Sequence, residues 1–322
     1  MKKIRIICII IFSFLIFNCK IYAKEKLTIF YAGSLSFIFQ NLCIEFNKIY
    51  PEIEILKEVS GSRMAARKIS ELDKKADLIA VSDYDVIEEL LMPQYVDWYL
   101  IFAKNEMVIA YQKKSKFSNK INAQNWYQIL LDPNVKFGRG NENMDPCGYR
   151  TLILWQLSNI YYKKNISVLL NNKCTFIRPT SEELLALLEK EDIDYAFEYF
   201  SVAKQHNFKY VKLPQEINLG SIENKKYYKK AKVKIAGKNI GEWSEKIGEP
   251  IVYALTIPLN ASSPKISLNF IKFLLSKKGR EIIEKNYQNF IFPALIIKNK
   301  ICKNEFFIKE LQKEGVKIKK NK

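Results

Sequence analysis

The sequence predicts an α/β protein whose sheets are largely parallel and covered by helices on both faces. Three observations lead to this prediction. From Leu27 onward, short apolar runs alternate with segments whose apolar residues recur at helical spacing. Pro51 ends one helical segment, and Ser263-Pro264 begins another with the residue types preferred at the N-cap and first helical positions. After Pro93 the pattern changes to two apolar runs within residues 99–111, which indicates a crossing between two domains.

The individual elements follow from the same periodicities, taken in chain order. Predicted strands cover residues 27–32, 53–59, 77–82, 135–137, 193–199, 210–213, 231–235 and 251–257. Predicted helices cover residues 34–50, 62–72, 83–91, 125–131, 147–162, 180–189, 263–275 and 278–286. Successive strands that are separated by helices are typical of parallel sheets, because the helix carries the chain back to the start of the next strand.

The first 23 residues have the composition of a signal peptide. Lys2, Lys3 and Arg5 precede an apolar run over residues 6–17, which is about half of the roughly 20 residues that a spanning helix needs. Cleavage after Ala23 is the favoured site, and cleavage before Cys19, which would add a lipid anchor, is the alternative. No later stretch of about 18 apolar residues follows, so we expect an exported and soluble mature chain.

The chain is strongly basic, with a formal net charge of +18. The predicted signal peptide carries four basic and no acidic residues, which leaves +14 on the remaining chain. Such a charge fits an anionic solute, a nucleic acid or an anionic membrane. The lysines are scattered except in the tail 317–322, and neither an RNP motif nor a clustered basic helix is present. Together with export, this argues against nucleic acid as a partner.

The residues needed for hydrolytic catalysis are missing. The chain has one histidine, His206, in a helical pattern where a packing role is expected, and it has no GxSxG motif. We therefore predict that the protein is not an enzyme. The four cysteines of the mature chain, Cys43, Cys147, Cys174 and Cys302, form no CxxC pair, so a zinc site is not expected and disulfide pairing stays open.

Three predicted strand-to-helix junctions carry residues that suit an anion. Gly33-Ser34 follows the first strand, Ser62 begins the helix after the second, and Asp145-Pro146 precedes the long helix. Free backbone N–H groups and the positive end of the helix dipole point towards such junctions. Each junction alone also fits an ordinary helix start, because serine or aspartate at the N-cap and proline after it are common. Two such junctions in successive units favour a binding site.

Glu198 is a fourth candidate, within a predicted strand of aromatic and apolar residues. An isolated buried carboxylate is costly, so this residue is expected to face water, a partner or a ligand. The sequence pattern does not choose between an exposed strand position and a ligand-binding one.

Seven motifs, taken together, are specific to one family. They are FYAGSLS (30–36), SGSRMAARKISEL (60–72), KKADLIAVSDY (74–84), MPQYVDWYLIFAKNEMVIAY (92–111), DPCGYR (145–150), DYAFEYFSVAKQH (194–206) and LPQEINLG (213–220). Over residues 27–293 the sequence resembles the tungstate/molybdate-binding proteins of ABC importers. Ser60, where many relatives have alanine, and a shorter segment between residues 150 and 192 are departures that touch no proposed ligand.

The resemblance implies a two-lobed type II periplasmic-binding-protein fold. Each lobe would be a mixed, mostly parallel sheet flanked by helices, with the oxyanion held in the cleft between the lobes. The implied division is a signal peptide over 1–23, a first lobe over 24–105 plus 208–322, and a second lobe over 106–207. A monomer outside the cytoplasmic membrane would deliver its solute to a membrane permease with a cytoplasmic ATPase.

The resemblance also implies the ligand set, which uses no catalytic cofactor because tungstate or molybdate is the transported solute. Serine hydroxyls and backbone amides would hold the oxo groups, and two carboxylates would bond directly to the metal. The residues that match the first group are Gly33, Ser34, Ser62 and the turn Asp145-Pro146-Cys147. Those that match the metal-bonding carboxylates are Asp145 and Glu198, and Glu216 matches a further position of the family.

Elementary chemistry explains why carboxylates would suit this solute. Two carboxylates repel a dianion, so they would make a poor site for sulfate or phosphate. W(VI) and Mo(VI) are hard centres that accept additional oxygen donors, which sulfur and phosphorus do not readily do. We therefore expect the site to reject sulfate. The residues do not indicate which of tungstate and molybdate is preferred. The alternatives within this fold are a ferric-iron-binding protein, which would rely on tyrosines, and a binding protein for another oxyanion.

Overall fold

The computed structural model describes residues 24–239 and 241–319. The predicted signal peptide, with its two cleavage sites at Ala23 and Cys19, and the last three residues of the tail lie outside the described residues. Within them, no helix has both the length and the apolar character required to cross a membrane.

The strands and helices follow each other in the alternation that the sequence predicts. The strands are β1 Lys26–Ala32, β2 Glu54–Ser60, β3 Leu78–Val81, β4 Trp98–Lys104, β5 Met107–Tyr111, β6 Phe137–Gly140, β7 Phe176–Arg178, β8 Tyr195–Tyr199, β9 Lys209–Lys212, β10 Lys232–Ala236, β11 Trp243–Ile247, β12 Val252–Thr256, β13 Asn289–Lys298 and β14 Lys317–Ile318. The helices are α1 Ser36–Ile49, α2 Ser62–Ser70, α3 Tyr84–Leu90, α4 Trp126–Leu130, α5 Pro146–Tyr162, α6 Ile166–Lys173, α7 Ser181–Glu189, α8 Phe200–Gln205, α9 Lys225–Tyr228, α10 Pro264–Leu275, α11 Lys277–Lys285 and α12 Glu305–Lys313, and a 3₁₀ turn covers Gly33–Leu35.

Two mixed sheets organise these elements into two lobes, which confirms the predicted α/β class. The sheets are not mostly parallel as predicted, because antiparallel pairs are as frequent as parallel ones in both of them. The seven-stranded sheet of the first lobe has the order β14-β13-β4-β12-β3-β1-β2, and the five-stranded sheet of the second lobe has the order β7-β6-β8-β5-β9. β1 pairs in parallel with β2 and β3, whereas β12 pairs antiparallel with β3 and β4. In the second lobe, β6 is parallel to β7 and β8, and β5 is antiparallel to β8 and β9.

The chain passes from the first sheet to the second between β4 and β5, within the segment 99–111 where the sequence pattern changes. The predicted division brings the chain back to the first lobe between residues 207 and 208, but in the structure the chain stays longer in the second sheet. Residues 209–212, which that division gives to the first lobe, form β9 and pair with β5 in the second sheet. The physical reason is that the edge of β5 would otherwise leave its backbone hydrogen-bonding groups unpaired.

The central strands are buried on both faces, as expected where helices cover a sheet from both sides. All four residues of β3 and all five of β8 are buried. A continuous apolar run is the usual signature of such a strand, and β3 has the sequence LIAV. β8 has the sequence YAFEY, so one charged residue is placed in the middle of the second lobe.

A small hairpin formed by β10 and β11 lies against both lobes. The Arg63 side chain of α2 donates to the Ala236 carbonyl at 2.6 Å, and the Lys246 ammonium lies 2.8 Å from the Glu89 carboxylate. On the side of the second lobe, the Ala236 N–H donates to the Asn143 side-chain oxygen at 2.8 Å. The hairpin therefore borders the turn that leads into α5.

Candidate functional site

Three strand-to-helix junctions from the two lobes meet at the cleft. Gly33 follows β1 and Gly61 follows β2 in the first lobe, while Asp145 follows β6 in the second. A Cβ on Gly61 would lie 3.3 Å from the Asp145 Cβ, so these two junctions touch across the cleft. The strand ends of a parallel sheet share one edge, which is why residues distant in sequence come together here.

The serine of the first junction is buried and hydrogen-bonded. Ser34 is 3% exposed, and the Tyr253 hydroxyl of β12 donates to its Oγ at 3.1 Å. The Asn105 amide in turn donates to the Tyr253 oxygen at 3.1 Å. This chain of bonds orients the Ser34 hydroxyl so that its proton is free to be donated to an anion.

The serine of the second junction has a partner that the sequence reasoning missed. Ser62 is fully buried, and its Oγ accepts from the Ser82 N–H at 3.0 Å and lies 3.0 Å from the Ser82 Oγ. Ser82 directly follows β3, so it stands at the same sheet edge as the other junctions. The signal that could have identified it is this position, since a serine after a third parallel strand repeats the pattern of the first two.

Asp145 is the N-cap of α5 and is 3% exposed. Its Oδ1 accepts from the Cys147 N–H at 2.8 Å, and Pro146 occupies the first helical position. Burial raises the pKa of Asp145 to about 6, and the negative charge of Glu182 adds to the rise, while the Cys147 N–H and Arg150 oppose it. Asp145 is therefore an ordinary N-cap at the position that the sequence also offers as a candidate ligand.

Glu198 is completely buried in β8, so the alternative of an exposed strand position is wrong. The reason is that β8 lies between β6 and β5 inside the sheet, with helices over its faces. Its Oε2 accepts from the Tyr199 N–H at 3.0 Å, whereas its Oε1 has no hydrogen-bond partner among the described residues. Burial raises the pKa of Glu198 to about 8. The nearby Ser181 hydroxyl and the Tyr199 N–H oppose this rise, and the charges of Asp145 and Glu182 add to it.

Cys147 connects the two carboxyl groups. Its backbone N–H is bonded to Asp145, and its Sγ lies 4.0 Å from the Glu198 Oε2 and 3.6 Å from the Phe197 carbonyl oxygen. Burial raises the pKa of the Cys147 thiol well above its usual range, so the sulfur stays protonated and uncharged. The turn thus places a neutral thiol beside the two acids, while its Cys147 N–H is held by Asp145.

Arg150 supplies the positive charge next to these acids. It is buried in α5, and its guanidinium donates to the Ser82 carbonyl at 2.6 Å and to the Tyr199 hydroxyl at 2.9 Å. It also forms an ion pair with Asp83 at 3.0 Å. These bonds join the second lobe to the first directly behind the serine junctions. Sequence reasoning assigned Arg150 no role, although it belongs to the DPCGYR motif.

Glu216 is half-buried, and among the described residues no hydrogen bond or ion pair joins it to Asp145 or Glu198. Burial raises the pKa of Tyr162, and the nearby Glu216 carboxylate contributes to that rise. Tyr162 is the last residue of α5 and Asp145 precedes its first, so a helix of 17 residues, about 25 Å long, separates the two ends. The assignment of Glu216 as a ligand, which the resemblance implies, stays a prediction. The motif match at that position gave no distance to the other carboxylates.

The assembled group can bind an anion and can also bond to the central atom of that anion. Buried serine hydroxyls and helix N-terminal amides suit oxo groups. When the two carboxyl groups are ionised, they would repel a dianion unless their oxygens bond to its central atom. The unpartnered Glu198 Oε1 is a buried acceptor that an additional bond would satisfy.

Comparisons with known proteins agree with this description. Residues 27–287 match the family model described as bacterial extracellular solute-binding protein. The chain is 40% identical over 306 residues to the molybdate/tungstate-binding protein WtpA of Pyrococcus abyssi, covering 85% of this chain and 87% of that protein.

Solved structures agree in fold. The periplasmic molybdate-binding protein of Azotobacter vinelandii matches with a TM-score of 0.55 and 13% identity, over 83% of this chain and 99% of that one. The sulfate-binding protein SubI of Mycobacterium tuberculosis matches with a TM-score of 0.60 and 12% identity, over 84% and 88% of the two chains. At these identities the likeness concerns the fold alone, and proteins that bind different oxyanions share it.

Proposed function

The chain belongs to the bacterial extracellular solute-binding protein family, and from that premise we propose that it captures tungstate or molybdate outside the cytoplasmic membrane. It then delivers the oxyanion to an ABC permease driven by a cytoplasmic ATPase. The relative from Pyrococcus abyssi carries the name of such a binding protein and spans nearly the same length. The predicted signal peptide at residues 1–23 supports export, and the basic chain favours an anionic solute.

One observation carries the choice of solute. Two carboxyl groups, Asp145 and Glu198, are buried beside hydroxyl and amide donors, and one oxygen of Glu198 has no partner among residues 24–239 and 241–319. A buried unpartnered acceptor costs about 1 to 3 kcal/mol, so its presence calls for a ligand. A bond from this oxygen to W(VI) or Mo(VI) would satisfy it.

The same carboxyl groups would select against sulfate. In a dry site the repulsion between a carboxylate and a dianion is not screened by water. Tungsten and molybdenum offset it by accepting carboxylate oxygens as fifth and sixth ligands, whereas sulfur does not readily expand its coordination. Ser34, Ser62 and the amides near Gly33 and Cys147 would hold the oxo groups.

Ferric iron is disfavoured as the solute. Iron-binding proteins of this fold would need tyrosinate ligands, and the tyrosines here are engaged as neutral phenols. Tyr199 accepts from Arg150 at 2.9 Å, and Tyr253 donates to Ser34 at 3.1 Å. Burial raises the pKa of both tyrosines, which opposes loss of their protons.

Isothermal titration of metal-free mature protein with tungstate, molybdate and sulfate tests the proposal. We expect binding of the first two and no heat with sulfate. The double variant Asp145→Asn plus Glu198→Gln keeps shape but removes both charges. Loss of a residue that only supports a metal ligand commonly lowers affinity about 10- to 100-fold. Loss of both direct ligands should therefore lower the affinity for tungstate more than 100-fold.

Glu183→Gln is the matched control, because Glu183 is exposed and its carboxylate accepts from Thr180 of its own helix start. It should bind both oxyanions as the unaltered protein does. Equal binding of sulfate would contradict the selection mechanism, and absence of any oxyanion binding would contradict the function.

A further inference from the structure

Glu182 makes a contact across the mouth of the cleft. It lies in the first turn of α7, in the second lobe, and its side chain is exposed at the rim. Its Oε1 accepts from the Ser36 hydroxyl at 3.2 Å, and Ser36 is the first residue of α1 in the first lobe. This hydrogen bond therefore joins the two lobes at the start of both helices.

Gly33 leaves the space that this contact needs. A Cβ at position 33 would lie 2.5 Å from the Glu182 Oε2 and 2.7 Å from its Cδ, closer than real atoms approach. Any larger residue would therefore displace the carboxylate from its place above the 3₁₀ turn. The first junction thus accommodates a residue of the other lobe as well as contributing to the binding site.

Glu182 differs from the two buried carboxyl groups in what it can do. Its charge is close enough to raise the pKa of both Asp145 and Glu198, after burial, which is the larger cause. It is exposed, however, and one of its oxygens is bonded to Ser36. It is therefore placed to hold the cleft shut and not to bond to the solute.

Resting on the proposed function, we propose that Glu182 is the closure residue of this protein. Its carboxylate links α7 to Ser36 and Gly33 once the lobes meet, and it thereby sets how long the bound oxyanion stays. The solute can leave only when the lobes part, so a contact that favours the closed form, with or without solute, should slow release.

The release rate tests this role. Protein loaded with isotopically labelled tungstate is chased with excess unlabelled tungstate, in the unaltered chain and in Glu182→Ala. Glu182→Ala loses the hydrogen bond between Ser36 and a charged group, so we expect its release rate to rise about 3- to 10-fold. Glu182→Gln keeps an acceptor oxygen for Ser36 and should stay within about twofold of the unaltered rate.

Glu183→Ala is the matched control, since it removes the same charge from the same helical turn without touching the other lobe. Its release rate should not change. An unchanged or slower release in Glu182→Ala would overturn the proposal, because simple removal of a repelling charge near an anion predicts slower release. Ser36→Ala should raise release as Glu182→Ala does, and the double variant should add nothing further.

A measurement without solute separates this inference from the proposed function. Spin labels at Lys48→Cys in the first lobe and Lys190→Cys in the second, with Cys302→Ser, report the separation of the lobes. If the chain binds no oxyanion, the proposed function fails, and the label distance then decides the inference. A shift to longer distances in Glu182→Ala and not in Glu183→Ala supports closure by Glu182, and identical distances in all three overturn it.

Discussion

Asp145 and Glu198 are both buried acids of one site, yet the chain supports them in different ways. Asp145 stands at a helix start, where the Cys147 N–H donates to it at 2.8 Å. Glu198 stands inside a strand, and one of its oxygens has no partner among the described residues. Burial raises the pKa of Asp145 to about 6 and that of Glu198 to about 8. A helix N-terminus thus compensates the charge of a buried acid better than a strand does.

The largest expected effect of this difference is on stability in the absence of solute. A folded-state pKa above the unfolded value means that the folded chain binds more protons, so stability falls as pH rises. For Glu198 the loss runs from about pH 4.5 to about pH 8 and amounts to roughly 3 to 5 kcal/mol. For Asp145 it runs from about pH 4 to about pH 6 and amounts to roughly 2 to 3 kcal/mol.

Urea unfolding at pH 5 and pH 8.5 measures this loss. Glu198→Gln should remove its share of the pH dependence, and Asp145→Asn should remove a smaller share at lower pH. Parallel pH profiles for the unaltered protein and Glu198→Gln would show that the carboxyl of Glu198 is not buried as described.

An intermediate effect is expected from Gly61→Ala, which disturbs Asp145 and leaves Glu198 in place. The new Cβ would lie 3.1 Å from the Met144 carbonyl carbon and still closer to its oxygen. Because backbone must move to make room, the turn carrying Asp145 shifts. Since small misplacements of binding groups can cost about 100-fold, we expect roughly that loss in tungstate affinity by titration calorimetry.

Gly33→Ala is the comparison for this variant, because the atoms in its way belong to the flexible end of Glu182. Gly33→Ala should lower tungstate affinity less than Gly61→Ala does. When it is combined with Glu182→Ala, the affinity should equal that of Glu182→Ala alone. Equal losses for the two glycine variants would mean that the two junctions are equally rigid.

The smallest effect concerns the helix cap itself. Asp145→Ala removes the acceptor for the Cys147 N–H and should lower stability by about 1 kcal/mol, as loss of an N-cap usually does. Asp145→Asn retains an acceptor and should cost a few tenths. The urea midpoint at pH 5 is the suitable readout, because Asp145 is then mainly protonated and its charge contributes little.

These two acids also differ in how far the sequence predicts them. The N-cap pattern of Asp145 with Pro146 is local, so both the helix start and the candidate role follow from adjacent residues. The burial of Glu198 depends on the strand order, which places β8 between β6 and β5. Strand order is set by contacts between distant segments, so the sequence left Glu198 between exposed and ligand-binding alternatives.

The same limit explains the other differences. The fold class follows from periodicity, but the pairing of β9 with β5 depends on tertiary placement. The contact of Glu182 with Ser36 joins residues 146 positions apart, and no local pattern indicates it. Residues at strand ends are predictable because their environment is local, whereas contacts across the cleft are not.

X-ray absorption at the tungsten edge of the tungstate-loaded protein measures whether Asp145 and Glu198 bond to the metal. With both carboxylates bonded to tungsten, we expect six oxygen neighbours, four short and two longer. In the Asp145→Asn, Glu198→Gln double variant loaded at high tungstate, we expect only four. Four equivalent short oxygens in the unaltered protein would contradict direct carboxylate ligation.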